Sequence, residues 1–308
     1  MKHKDLISIE ELTVKEVNQI LDLSARLKAN KAGGVNLKGK TLGLVFQKPS
    51  NRTRVSFWVG MSKLKGHCIY LSPQELQLGE RECVKDAGRV LSRYLDVIAA
   101  RTFSHKMLLE LAKYSSVPVI NALTDLLHPC QALSDILTIK EIKKSFKGIK
   151  LAYVGDGNNV LHSLLYAAAK VGLDISYAVP KGYEPNEEIL RKAKVIAKKT
   201  RSKIEKSNDA KKAAEGADFI YTDVWTSMHQ EKAAAKRKEA FKSFQINTKL
   251  LSFAKRGCLV MHCLPAKRGL EITDEIMDGP QSIVYDQAEN RLYVEQAILY
   301  LLLKDNKR

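Results

Sequence analysis

Short apolar runs alternate with amphipathic segments along the whole chain. Runs with strand-like composition lie at 42–46, 68–71, 97–100 and 117–120, and the segments between them, around 52–65, 84–95 and 105–114, repeat their apolar positions at helical spacing. A second series of strand-like runs follows at 150–154, 175–179, 219–222, 258–262 and 283–285. This repeated alternation predicts an α/β protein with two doubly wound parallel-sheet domains. A helix through 132–144 separates the two series, so interdomain helices are expected to join them. The expected division is 1–131 for the first domain and 132–288 for the second. The segment 289–308 has a strongly apolar face over 289–303 and is expected to pack back on the first domain as a terminal helix. In open sheets of this kind ligands bind beyond the carboxyl ends of the strands, which places the expected active site in the cleft.

Composition narrows the function classes. With 308 residues the chain exceeds one typical core, consistent with two domains. It has no unbroken apolar run of membrane-spanning length and no secretory-type start, so a cytoplasmic protein without a membrane partner is expected. The five cysteines, Cys68, Cys83, Cys130, Cys258 and Cys263, are scattered and odd in number, which fits reduced thiols; none of their spacings is that of a zinc knuckle, so no metal is expected. A formal net charge of +17 raises the question of nucleic acid. Its distribution answers against it. Segments such as 191–199 set lysines on the outer face of an amphipathic helix, and the basic stretch 231–244 lacks interleaved aromatic side chains for stacking on bases. No nucleic-acid partner is expected.

The most concentrated chemistry is Ser50-Asn51-Arg52-Thr53-Arg54, directly after the run 41–46. Ser50 reads as an N-cap and the next three residues as a helix's first turn, where unpaired N–H groups and the helix dipole favour an anion. Two arginines there each oppose the dipole by about 0.3–1 kcal/mol unless something negative lies between them. Phosphate is the natural ligand; the alternative is a solvated basic turn. No Walker pattern is present, and in Gly155-Asp156-Gly157 the third position of a dinucleotide fingerprint is taken by Val160. Other polar groups cluster after strand-like runs: Arg101, the group His128-Pro129-Cys130-Gln131, Asn158-Asn159, Asp223-Val224-Trp225-Thr226-Ser227-Met228 and His262-Cys263-Leu264-Pro265. Singly, His128 reads as a core histidine, Cys263 as a small apolar residue and Asp223 or Asn159 as a helix cap. Their common position at strand ends argues for a site.

With these motifs the chain resembles the ornithine branch of the aspartate/ornithine carbamoyltransferase family, from near the N-terminus to the terminal helix. Cys263 stands where the aspartate-using relatives are expected to have proline. The resemblance implies transfer of a carbamoyl group from carbamoyl phosphate to the δ-amine of L-ornithine, giving L-citrulline and phosphate, without a cofactor and in arginine biosynthesis. It implies that Ser50, Asn51, Arg52 and Thr53 hold the phosphate group, that Arg101 contacts phosphate and carbonyl oxygen, and that His128 donates to that oxygen. Gln131, Cys263, Leu264 and Arg291 are expected to orient the carbamoyl amide. Asn159 and Met228 are expected on the ornithine carboxylate, with Asp223 and Ser227 on its α-amine. Cys263 is placed near the δ-amine as a positioning thiol or thiolate. A homotrimer, or an assembly of trimers, is also implied, with Gln77 reaching the phosphate site of the neighbouring subunit. Three positions depart from the family's pattern: Asn51 for threonine, Trp58 for glutamate and His229 for glycine. A putrescine acceptor would not need Asn159, Met228 and Asp223, and an acylated amine would have no charge for Asp223 to pair with.

Overall fold

The computed structural model describes residues 1, 3–226 and 233–304. Among these, the strands are β1 (Thr41–Phe46), β2 (His67–Leu71), β3 (Val97–Arg101), β4 (Val119–Leu123), β5 (Lys150–Val154), β6 (Asp174–Ala178), β7 (Ile204–Ser207), β8 (Phe219–Thr222) and β9 (Leu259–His262). They form two parallel sheets, ordered β2-β1-β3-β4 and β7-β6-β5-β8-β9. The chain separates into two compact units, 1–137 with 289–308 and 138–288. The divisions fall inside the helices Pro129–Lys143 and Val284–Leu303. The expected boundary at 131/132 lies in the first of these helices.

In the first unit, β3 is buried throughout and β1 from Leu42 onward, which explains their nearly unbroken apolar sequences. The helices Val84–Tyr94 and His105–Tyr114 cover them through Ala87, Leu108 and Leu111, packed with Val45, Ile98 and Ala100. Phe46 of β1 pairs with Arg101 of β3, so the Ser50 turn and the Arg101 side chain leave the sheet at the same end. The helix Val284–Leu303 lies close on the helix Asn51–Lys63: a Cβ added at Gly60 would stand 3.2 Å from Gln296 Cγ. That contact brings Arg291 to the Ser50 turn.

In the second unit, the adjacency of β5 to β8 and of β8 to β9 gathers three strand ends. Tyr153 pairs with Tyr221, and Thr222 with His262. The next residues, Asp223 and Cys263, are therefore neighbours. Gly157 lets two loops touch: a Cβ there would stand 2.4 Å from both Pro185 N and Tyr183 O, which accounts for this glycine through packing.

Three elements differ from the sequence expectation. The run at 117–120 gives way to β4, because Pro118 offers no N–H to a ladder and the strand continues through Asn121, whose N–H donates to the Leu6 carbonyl at 2.8 Å. Residues 283–285 are no strand: Ser282 makes an isolated bridge with Val260, and the helix begins at Val284 with Tyr285 exposed. β7 was not expected because it is an edge strand with exposed Glu205 and Lys206 in place of an apolar run. Among the described residues no helix is long and apolar enough to cross a membrane.

Candidate active site

In the first unit Ser50 has extended backbone and caps the helix Asn51–Lys63, accepting from Thr53 N at 3.4 Å and donating to Thr53 Oγ1 at 3.0 Å. Thr53 is buried and its Oγ1 also accepts from Arg291 Nη2 at 3.0 Å. Asn51 is exposed at the first helical position and Arg52 half-buried behind it. Trp58 is exposed one face away, with the Arg54 guanidinium 5.5 Å from its ring centre.

Arg101 is buried, and burial, then Arg291 and Arg52, push its guanidinium down to about 10. His128 is buried before the helix Pro129–Lys143; burial, then Arg291, Arg101 and Arg52, hold its imidazole well below the usual histidine range. At neutral pH it is an uncharged ring with one N–H to give. Lys48, half-buried over the Phe103 ring at 4.6 Å, is likewise lowered by burial and then by Arg101. Four cations thus converge on one strand end, and Arg101 Nε and Arg291 Nε are buried with no hydrogen-bond partner among the described residues. Gln131 is buried, gives its amide proton to Asp135 Oδ1 at 2.8 Å and has no partner for Oε1 among the described residues. Gln77 is exposed, in left-handed conformation with φ 41°, at the end of the helix Pro73–Leu76.

The second unit is organised around buried Asp223. Its Oδ1 accepts from Val224 N at 2.8 Å and from the Cys263 thiol at 3.0 Å, and its Oδ2 from Asn158 Nδ2 at 2.7 Å. Asn158 also caps the helix Asn159–Val171, its Oδ1 accepting from Val160 N at 3.0 Å and Leu161 N at 3.2 Å. Asn159 is the first residue of that helix. Arg237 braces the same loops from behind, donating to the Trp225 carbonyl and to Asp156, with its guanidinium 4.7 Å from the Tyr183 ring centre.

Leu264 has φ 59°, a conformation that costs a leucine about 1–2 kcal/mol. Its N–H donates to His262 Nδ1 at 2.8 Å, which holds the turn. Asp223, His262 and Cys263 each place a ligand-type atom within 4.8 Å of the others. His262 has no lone pair to offer a metal there: Nδ1 accepts from Leu264, so Nε2 carries the proton and faces Glu271 at 3.2 Å.

The first unit therefore assembles Ser50, Arg52, Thr53, Arg101, His128 and Arg291, and the second Asp223 and Cys263 with Asn159 alongside. Ser227, Met228 and His229 lie outside the described residues. Lys48 is not among the residues that the sequence singles out, and Asn158 is named there only as part of the Asn158-Asn159 cluster, without a role of its own. A lysine at the end of a buried strand and the doubled asparagine before a helix are the signals that point to them.

Two parallel-sheet units, one with a cationic strand end and one with a carboxylate-thiol pair, define a class, and comparison with known proteins identifies it. Residues 4–141 match the carbamoyl-phosphate binding domain of aspartate/ornithine carbamoyltransferases, and residues 147–302 match their Asp/Orn binding domain. The chain belongs to the aspartate/ornithine carbamoyltransferase family. It is 54% identical over 301 residues to the ornithine carbamoyltransferase of Bacillus thuringiensis subsp. konkukian, covering 98% of this chain and 95% of that protein. Among solved structures it is similar to the ornithine carbamoyltransferase of Pyrococcus furiosus, with 49% identity, a TM-score of 0.95 and coverage of 99% and 98%. The anabolic ornithine carbamoyltransferase of Campylobacter jejuni is 37% identical, with a TM-score of 0.94 and coverage of 99% and 100%.

Proposed function

We propose that the protein transfers the carbamoyl group of carbamoyl phosphate to the δ-amine of L-ornithine, forming L-citrulline and phosphate. The observation that carries this reading is the convergence of half-buried Arg52 with buried Arg101 and Arg291 around uncharged His128 at a helix N-terminus. Ser50, Asn51, Arg52 and Thr53 hold the phosphate, with Gln131, Cys263, Leu264 and Arg291 on the carbamoyl amide. The neutral amine attacks the carbonyl carbon, and negative charge grows on the carbonyl oxygen. Arg101 and the His128 N–H stabilise it there without changing protonation, which is where preorganised donors contribute most. The C–O bond to phosphate then breaks and the new amide nitrogen releases its proton.

Asp223 takes the α-ammonium group of ornithine, aided by Ser227, while Asn159 and Met228 take the carboxylate. The Cys263 thiol, already bonded to Asp223, positions the amine rather than attacking as a nucleophile. The name of the Campylobacter jejuni relative supports a biosynthetic direction, toward arginine. All five cysteines are unbridged, which supports a reducing cytoplasm.

The test is citrulline-type product formation from carbamoyl phosphate with ornithine, putrescine, aspartate and N-acetylornithine side by side. Ornithine is expected to dominate, and equal or better turnover of any other acceptor overturns the assignment. We also propose a homotrimer in which Gln77 serves the neighbouring phosphate site. The exposed Val55, Val59 and Ile69, on the phosphate helix and edge strand β2, support a covered face there. Light scattering that finds a fully active monomer removes the trimer.

A further inference from the structure

Glu295 lies on the terminal helix one turn beyond Arg291 and is completely buried. Its Oε1 accepts from Arg291 Nη2 at 2.9 Å, while Oε2 is buried with no donor among the described residues. Ser56, which faces the carboxyl from the helix Asn51–Lys63, gives its proton to the Arg52 carbonyl at 2.7 Å. From the helix Pro129–Lys143 the facing group is Cys130, whose thiol is held protonated by burial and then by Glu295. Beyond Arg291 stand Arg101, Arg52 and His128. Glu295 is thus the carboxylate set against the guanidinium cluster, with one oxygen bound and the other ready to take a proton.

We propose that Glu295 is a charge counterweight and positioning residue of the phosphate half-site, and that anion binding there is coupled to proton uptake by its carboxyl group. A dianion beside Arg291 competes for the same guanidinium and repels the carboxylate. Protonating Glu295 removes the repulsion and leaves its carbonyl oxygen to accept from Arg291, so the guanidinium stays in place. Burial, against the pull of Arg291, raises this carboxyl to about 7, where such a proton is available at physiological pH. The sign follows from linkage: bound anion raises the carboxyl further, so affinity is greatest below pH 7 and falls as pH rises above it. His128, held well below the histidine range, would take up its proton only at lower pH.

This inference rests on the phosphate half-site proposed above. Sulfate, a dianion that does not titrate near neutrality, is the probe. Calorimetry in two buffers of different ionisation enthalpy is expected to show uptake of up to about half a proton per sulfate bound at pH 7, rising toward one at pH 8. Glu295→Gln, which keeps an acceptor for Arg291 without the charge, is expected to bind sulfate up to about twofold more tightly than the wild type at pH 7 and up to about tenfold more tightly at pH 8, with no proton uptake. Absence of uptake by the wild type, or uptake unchanged in Glu295→Gln, overturns the inference. The wild-type measurement stands alone if the variant does not fold. Sulfate that binds but fails to compete with carbamoyl phosphate overturns the half-site reading instead; sulfate that competes without proton uptake overturns only the role of Glu295.

Discussion

The strand-end clusters of the two units are wired in opposite ways. At the strand ends of the second unit the carboxylates are paired with donors: Asp223 is held by Asn158, Val224 and Cys263, Asp156 by Arg237, and one oxygen of Glu271 faces His262, its other oxygen having no partner among the described residues. In the first unit like charges are gathered together, and buried donors on Arg101 and Arg291 are left unpaired. Two like charges about 5 Å apart repel by about 3 kcal/mol at an effective dielectric near 20. The first half-site therefore stores electrostatic tension that an anion relieves. The second is assembled beforehand, and its ligand exchanges for bonds already made. A site that binds a leaving phosphate benefits from the first arrangement, because the same tension that favours the anion also favours the charge-separated transition state.

The comparison can be broken by substitutions that remove one polar group from each side. Arg101→Met carries the largest expected effect: kcat/KM for carbamoyl phosphate falls by about 10²–10³-fold, the range seen when one oxyanion donor is removed. Near-normal rates would take Arg101 out of the chemistry. Asn158→Ala comes next, with a smaller and different signature. It removes a helix cap and the amide that holds Asp223, at a cost of about 2 kcal/mol in stability together with a raised KM for ornithine. Steady-state kinetics in both substrates checks the split, since a rise confined to the carbamoyl phosphate KM would contradict the role given to Asn158.

Much of the first half-site was legible because its signals are local. A cap, a first turn and two arginines sit within five residues, and Arg101 ends an apolar run. Asp223 and Cys263 were legible as residues following strands. Their partnership was not, because it depends on β8 lying between β5 and β9, which no local pattern states. Asn158 is visible in sequence as a polar residue after a strand, but its hold on Asp223 is not, because its amide matters only once β5 and β8 are adjacent. Glu295 draws no attention in the sequence, because only the packing of the terminal helix on the helix Asn51–Lys63 buries it beside Arg291. β7 has no sequence signature because an edge strand needs no apolar run, and 283–285 resembles a strand because three consecutive residues of strand-like type can equally open a helix.

The opposed wiring is tested most directly by the thermal unfolding midpoint of Arg101→Met against the wild type, measured without and with inorganic phosphate. Removing a buried cation that has like-charged neighbours and an unpaired donor should raise the midpoint without phosphate, by about 2–4 °C for each kcal/mol relieved. Phosphate should then stabilise the variant far less than the wild type. A variant less stable than the wild type without phosphate, or equally stabilised by it, would contradict the account.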